Sequence, residues 1–222
     1  MIADPRAVAA RWPDPRLRVL AALATTVTEA PWTLGADDRR AAAAVGLDDD
    51  AVLHAIALAA FFGHLNRIAD AVAVPLDYAV AQLPPHAEPA TPPLAAAPHV
   101  IDRPAAIDLA QRPATHAALA AWRAELFDRD TARLSRSQRA QIATQVGGWL
   151  GANPPPPDAA DDAELTALVR TVTLAPWALG DPAFAALRAR AWSDAELFDA
   201  CAVASSATVF ARIDVALRAL SR

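Results

Sequence analysis

Thr26-Val27-Thr28-Glu29-Ala30-Pro31-Trp32-Thr33-Leu34-Gly35 returns later in the chain as Thr171-Val172-Thr173-Leu174-Ala175-Pro176-Trp177-Ala178-Leu179-Gly180. The offset is 145 residues. At that fixed offset and without gaps, Leu20 and Leu23 fall on Leu165 and Leu168, Asp49 on Asp194, Arg67 on Arg212 and Ile68 on Ile213. Shared alanine inflates such a match, but the Ala-Pro-Trp-x-Leu-Gly block does not follow from composition. The reading is an internal duplication, and with it an all-α fold built from two pseudo-repeats.

Each repeat reads alike. A helix ends near Thr28 or Thr173, and a Pro-Trp turn follows, closed by Gly35 or Gly180. A short helix covers Asp37 to Val45 or Pro182 to Ala191, with Pro182 in a tolerated first-turn position. Asp48 or Ser193 then serves as N-cap, with acidic residues in the first turn. A long helix follows, from about Asp49 to Val74 and from about Asp194 to Leu220. Ala51 to Phe62 is apolar on every face but for His54, which predicts a central, buried helix. Trp32 and Trp177 are expected in equivalent places, each packing its turn against a long helix.

Proline separates the units. Residues 83–104 hold seven prolines and predict an extended, polyproline-like linker between a first repeat over 1–82 and a second over 105–222. A tetraproline, Pro154 to Pro157, interrupts the second unit. The repeats are expected to pack into one compact unit, since each alone buries too little.

The 222 residues carry 20 basic and 25 acidic side chains, every basic one an Arg, for a net charge of -5. That balance argues against a nucleic-acid groove. One Cys excludes a disulfide framework or a Cys-rich zinc module. No two of the five His residues stand at metal-ligating helical spacing, so no metal and no cofactor are expected. The N-terminus lacks the pattern of a signal peptide, and the longest apolar run, Ala51 to Leu65, falls short of the ~20 residues that span a bilayer. A cytoplasmic protein without membrane contact is the expectation. Ala-rich helix faces predict a homo-oligomer, a dimer or larger ring.

At 100° per residue, Gly63, Asn66, Arg67 and Asp70 share one face of the first long helix. Cys201, Ser205, Thr208 and Arg212 share the matching face of the second. One reading is a pair of pockets in which each Arg offers a planar fork of donors to a carboxylate or peroxide oxygen. The other is that each Arg pairs with a carboxylate, such as Asp70 for Arg67, or caps a carbonyl at a helix or subunit interface. His64 lies off the stripe, toward the apolar side. Cys201, in an apolar run, reads as an inert thiol.

Gly46 to Ala55, continued by Phe61-Phe62-Gly63-His64-Leu65-Asn66-Arg67-Ile68-Ala69-Asp70, resembles the signature of the AhpD-like alkylhydroperoxidase and carboxymuconolactone decarboxylase superfamily. In the peroxidase-related branch this helix reads like Phe-Asn-x-x-Asn-Arg-x-Ala-Asp. Here Gly63 replaces the first Asn, while Asn66, Arg67 and Asp70 remain. The resemblance implies an all-helical fold in which duplication and homo-oligomers are common. The family's redox motif is Glu-x11-Cys-x2-Cys-x3-His, led by a segment like Leu-Ser-x-Arg-Glu-Arg-Glu-Ile. Leu134 to Ile142 echoes that lead. In register, Gln141 then takes the Glu position, Asn153 and Pro156 the two Cys positions and Ala160 the His position. The first repeat has no room for the motif.

The thiol relay is therefore absent, and the expected protein is a degenerate member with a non-redox binding or scaffolding role. Two alternatives stay open. One is a cofactor-free acid-base enzyme in which Arg67 or Arg212 holds a substrate carboxylate and His64 or Asp70 moves a proton. The other is a small-molecule carrier. A small-molecule ligand fits any of the three.

Overall fold

A computed structural model describes residues 5–72, 92–128, 133–154 and 162–221. Among these the regular structure is all helical, with no strand. The α-helices are α1 (Pro5–Ala9), α2 (Pro15–Glu29), α3 (Ala36–Ala44), α4 (Asp49–Ala71), α5 (Pro113–Phe127), α6 (Arg136–Leu150), α7 (Ala163–Leu174), α8 (Asp181–Ala189) and α9 (Asp194–Ala219). Single 3₁₀ turns cover Pro31–Thr33, Leu109–Gln111 and Pro176–Ala178.

Local chemistry sets these limits. Asp48 caps α4 by accepting from the Ala51 N–H, and Asp49 and Asp50 follow in the first turn. Ser193 and Glu196 form a capping box on α9, and Ser135 and Gln138 form one on α6. These side chains satisfy amide groups that have no partner within the helix. Pro15 and Pro113 occupy first helical positions, where no N–H is needed.

The elements keep one order and one spacing. The ends of α2 and α7, the two Pro-Trp turns, α3 and α8, and the starts of α4 and α9 all stand 145 residues apart. The residue between each first helix and its turn has the same backbone, φ -153° at Ala30 and -148° at Ala175. The short helices also end alike: the Leu47 N–H reaches the Ala42 carbonyl and the Trp192 N–H reaches the Leu187 carbonyl. The left-handed residue inside that closure is Gly46 in one case and Ala191 in the other, with φ of 76° and 63°.

The long helices α4 and α9 cross at the centre, and α9 is the core. Both are long and apolar enough to cross a bilayer by length and composition, since each helix outruns the fifteen-residue stretch picked out in the sequence. Of the apolar stretch, 83% is buried within the protein in α9, but only 33% in α4. The expectation that Ala51 to Phe62 lies buried on all sides is thus corrected. Val52, Leu53, Ile56 and Ala60 are enclosed, while Leu58, Phe61, Phe62 and Leu65 are exposed. α2 and α9 pack along α4, with Trp122 of α5 stacked edge-on against Phe61, and together they leave one face open.

Each Pro-Trp turn lies against the long helix of the other half: Pro31–Thr33 touches α9 and Pro176–Ala178 touches α4. The two Trp side chains differ. Trp32 is buried, whereas Trp177 is 42% exposed.

The Pro-rich stretch is in view from Pro92 onward; residues 83–91, with His86, lie outside the described residues. From 92 to 104 it is non-helical and fastened at several points. The amides of Leu94, Ala97, Ile101 and Ala106 donate to the carbonyls of Leu174, Trp149, Gly151 and Leu217. All four acceptors stand at helix C-termini, where carbonyls lack helical partners. Ile101 and Ile107 are buried. The stretch is a strap across the ends of α7, α6 and α9. Gly151 admits it: its φ is 81°, and a Cβ there would meet Ala97 Cβ at 2.9 Å.

Ala191 holds a left-handed conformation that costs an L-residue roughly 1–2 kcal/mol. Ala191→Gly, which copies Gly46, should stabilise the protein by roughly 0.5–1 kcal/mol. Urea unfolding reads this as a higher midpoint at unchanged slope. A lower midpoint would show that the closure of α8 does not need the left-handed residue.

Candidate functional site

Arg67 and Arg212 occupy matching positions on α4 and α9, and both are buried, at 3% and 1% exposure. Arg67 Nη1 donates to the Gly63 carbonyl at 2.8 Å, and Nη2 to the Thr173 carbonyl at 3.3 Å. Arg212 donates to the Thr28 carbonyl from Nε at 3.2 Å and Nη2 at 3.0 Å. Thr28 and Thr173 are themselves matching positions, at the last turns of α2 and α7. Arg212 therefore meets the end of α2 and Arg67 the end of α7, each in the opposite half, where a cation also meets the negative end of the helix dipole.

Neither guanidinium has a carboxylate within ion-pair distance among the described residues. Arg67 Nε and Arg212 Nη1 are buried without a hydrogen-bond partner. Burial pushes Arg67 down to about 10, opposed by the charge of Asp70. Burial also holds Arg212 well below the usual range, and repulsion from Arg67 adds to the shift. Two cations sharing one core with only carbonyls as acceptors leave positive charge uncompensated.

The two sides differ in space. Gly63 lies opposite Arg67, and a Cβ there would sit 3.0 Å from Nη1. The matching residue on α9 is Thr208, whose hydroxyl donates to the Ser205 carbonyl at 2.7 Å. Beside Arg67 opens a cavity of about 790 Å³, lined by Glu29, Asn66, Asp70, Leu94 and Trp177 among others. Asp70 forms no bond with Arg67; partial burial moves its carboxyl upward while Arg67 opposes that.

Ser205, Thr208 and Arg212 lie in the core. His64 joins them from α4: its Nδ1 is 2.8 Å from Ser205 Oγ, and the Ser205 hydroxyl donates to the His64 carbonyl at 3.0 Å. That hydroxyl is committed to a carbonyl, so the pair ties α4 to α9 and is no nucleophile with its base. His64 also stacks against Trp122, with centroids 5.0 Å apart. Burial holds its pKa below the usual value, opposed by the Ser205 bond and reinforced by Arg67.

Cys201 is buried, and desolvation pushes its thiol up to about 12. It lines a separate cavity of about 340 Å³ with Asp70 and Phe198. Of the positions that the resemblance sets against the redox motif, Gln141 is half-buried on α6, and Asn153 is exposed just beyond that helix, folded back over Gly147. Pro156 and Ala160 lie outside the described residues. His99 and His116 are exposed.

Sequence reasoning found the arginines and held a helix carbonyl as one of two possible partners, but it did not say which carbonyls accept. The acceptors are backbone groups, which no side-chain motif reveals. Their one signal is that Thr28 and Thr173 both fall inside the recurring ten-residue block. The wall from Pro92 to Ala95 was not foreseen either, because the strap folds back from a segment read as a spacer.

No family model matches this chain, and neither a curated protein nor a solved structure matches it.

Two tests follow. Arg212→Ala should cost about 3 kcal/mol or more, from the cavity and the orphaned Thr28 carbonyl. Arg212→Met keeps volume and removes a buried charge, so it should cost at least about 1 kcal/mol less. Equal losses in chemical denaturation would mean that volume at this position does not matter. His64 stays neutral in the fold below the pH at which it protonates when unfolded. The unfolded chain then binds more protons, so stability should fall as pH drops below about 6.5. His64→Gln should flatten that part of the stability–pH curve; an unchanged curve would show that His64 does not carry it.

Proposed function

We propose that the chain is a degenerate, internally duplicated member of the AhpD-like and carboxymuconolactone decarboxylase superfamily, and that it acts as a non-redox binding protein. The family reading rests on the Asn66-Arg67-Ile68-Ala69-Asp70 run and on the segment from Leu134 to Ile142. The duplication reading draws support from the constant spacing of the elements and from the exchanged Arg-to-carbonyl bonds. The loss of redox chemistry draws support from Cys201, the one thiol of the chain. At a pKa of about 12 it holds almost no thiolate at neutral pH, and the thiolate is the species that attacks peroxides.

The observation that carries the binding role is Arg67. It is buried, lacks an ion-pair partner among the described residues, keeps one unpaired N–H, and stands in the wall of a cavity of about 790 Å³. That volume suits a small molecule. An anionic oxygen would supply both the missing charge and the missing acceptor. The ligand class is a small carboxylate, and Asp70 in the same wall favours one that also carries a hydroxyl or amino donor.

A second reading keeps the same ligand and adds chemistry. Asp70 shares the cavity and its carboxyl is moved upward by burial, the direction a proton-transferring group needs. In that case Arg67 positions the carboxylate and Asp70 moves the proton.

Thermal unfolding with millimolar glycolate, lactate, glycine and benzoate tests the binding. At least one should raise the melting temperature of the wild type, while Arg67→Met and Arg67→Lys, both folded by circular dichroism, should lose the shift. Unaltered shifts in both variants would remove Arg67 from the site. Steady turnover of an alkyl hydroperoxide that survives Cys201→Ser would overturn the non-redox reading. Conversion of the bound acid that stops in Asp70→Asn would select the enzyme over the binding protein.

A further inference from the structure

α5 rides on the body of the protein without sinking into it. None of its fifteen side chains is buried. It packs on α6 and on the 3₁₀ turn at Leu109–Gln111, and its Trp122 and Phe127 meet Phe210 of α9 edge-on, with ring centroids 5.3 and 6.2 Å away. Phe210 acts as a prop. A cavity of about 570 Å³ lies between α5, α9 and the end of the strap, and one of about 550 Å³ lies between α5, α6 and α9. Arg123, Phe210 and Asp214 line both, so the two meet at these residues.

The two cavities differ in character. The first is walled by Ile107, Leu119, Ile213 and Leu217. Its further polar groups, Asp108 and His116, stand away from Arg123: His116 precedes it by seven residues, about two helical turns. Asp108 already accepts the Ala110 N–H at 2.8 Å. The second cavity is more polar, with Thr144, Asn153 and Arg218 in its wall. Arg218 Nε donates to Asp214 Oδ1 at 2.9 Å, and its Nη1 donates to the Ile101 carbonyl at 3.3 Å. The charges of Arg218 and Asp214 therefore cancel where the cavities meet.

Arg123 is left over. Its guanidinium lies over the rings of Phe127 and Phe210, 5.5 and 5.6 Å from their centroids. That stacking occupies the flat face of the group and holds the side chain in place, and it leaves the N–H donors around the edge unused. No carboxylate among the described residues lies within ion-pair distance of Arg123, and no described acceptor takes a hydrogen bond from it. An apolar cavity thus has an uncommitted, positioned cation at one end.

We infer that this cleft is a second ligand site, and that its ligand is an amphiphilic monocarboxylic acid, with an apolar chain between Ile107, Leu119 and Leu217 and its carboxylate on Arg123. The walls argue for the chain: a polar body would lose its water against them and gain no partner. The charges argue for the head: with Arg218 and Asp214 cancelled, Arg123 is matched by a single negative charge, and its planar fork of donors suits a carboxylate. A cavity of about 570 Å³ is large enough for a small molecule. The chain would also cover the inner side of α5, which the protein itself leaves without a buried residue. The cleft shares no lining residue with the cavity over Arg67, so the inference stands apart from any ligand there.

Titration calorimetry and amide hydrogen exchange of the full chain test it, with octanoate as the probe, acetate as the head alone and octanol as the chain alone. Octanoate should bind at least about tenfold tighter than acetate and about fivefold tighter than octanol, and should slow exchange over residues 113–127. Arg123→Gln should weaken octanoate about fivefold or more. Ala120→Phe, which fills the cavity from an exposed position on α5, should abolish the protection of that helix. Both variants should keep the wild-type circular dichroism spectrum. Octanol bound as tightly as octanoate would overturn the carboxylate assignment. Octanoate that leaves 113–127 unprotected, or that protects only α4 and residues 92–95, would overturn the site, and so would an affinity unaltered in Arg123→Gln.

Discussion

The architecture depends on two buried guanidiniums. Arg67 ends the helix that precedes the second Pro-Trp turn, and Arg212 ends the helix that precedes the first. Each side chain crosses from one half into the other, so the last turn of α2 takes its donor from α9 and the last turn of α7 takes one from α4. Burying an arginine without a carboxylate is costly, and the carbonyl presented by the other half offsets part of that cost. This explains why the Pro-Trp turns lie against the opposite long helices, and why one hydrophobic core runs through both halves. The strap from Pro92 to Ala106 extends the pattern, placing backbone amides on helix-end carbonyls that would otherwise lack partners.

Against that common frame, small differences between matching positions decide what each half can do. Gly63 leaves room beside Arg67, whereas Thr208 fills the space near Arg212. Ala207 is buried on α9, whereas Phe62 stands out from α4. Trp32 is enclosed and Trp177 is half open on the wall of the cavity. In each comparison the first long helix is the less covered one. The cavity over Arg67 is found there, while most of α9 is buried and cavities of about 550 and 570 Å³ open beside its C-terminal half.

Much of the fold was legible in the sequence, for identifiable reasons. Asp48 and Ser193 signal helix starts because capping is local chemistry. The Ala-Pro-Trp-x-Leu-Gly block marks the turns because Pro and Gly restrict the backbone wherever they stand. The burial of α4 was misjudged because an all-apolar helix states what it can tolerate, and its neighbours decide what it receives. The strap was read as a spacer because prolines reveal an extended backbone but not the carbonyls it will meet. The site was half legible: the Arg residues stand at the same offset as the recurring block and carbonyl acceptors were one of the two readings, but which peptide groups accept depends on how the helices pack, and the difference in space depends on one missing Cβ at Gly63.

Hydrogen exchange of the arginine side chains, followed by nitrogen-resolved NMR on uniformly labelled protein and assigned through Arg67→Lys and Arg212→Lys, tests the central claim most directly. Guanidinium protons of Arg67 and Arg212 that exchange only as fast as the whole molecule unfolds are the predicted result, since both groups are enclosed and tied to the opposite half. Exchange at the rate of free arginine at both positions would contradict it, because the two halves would then be held together by something else.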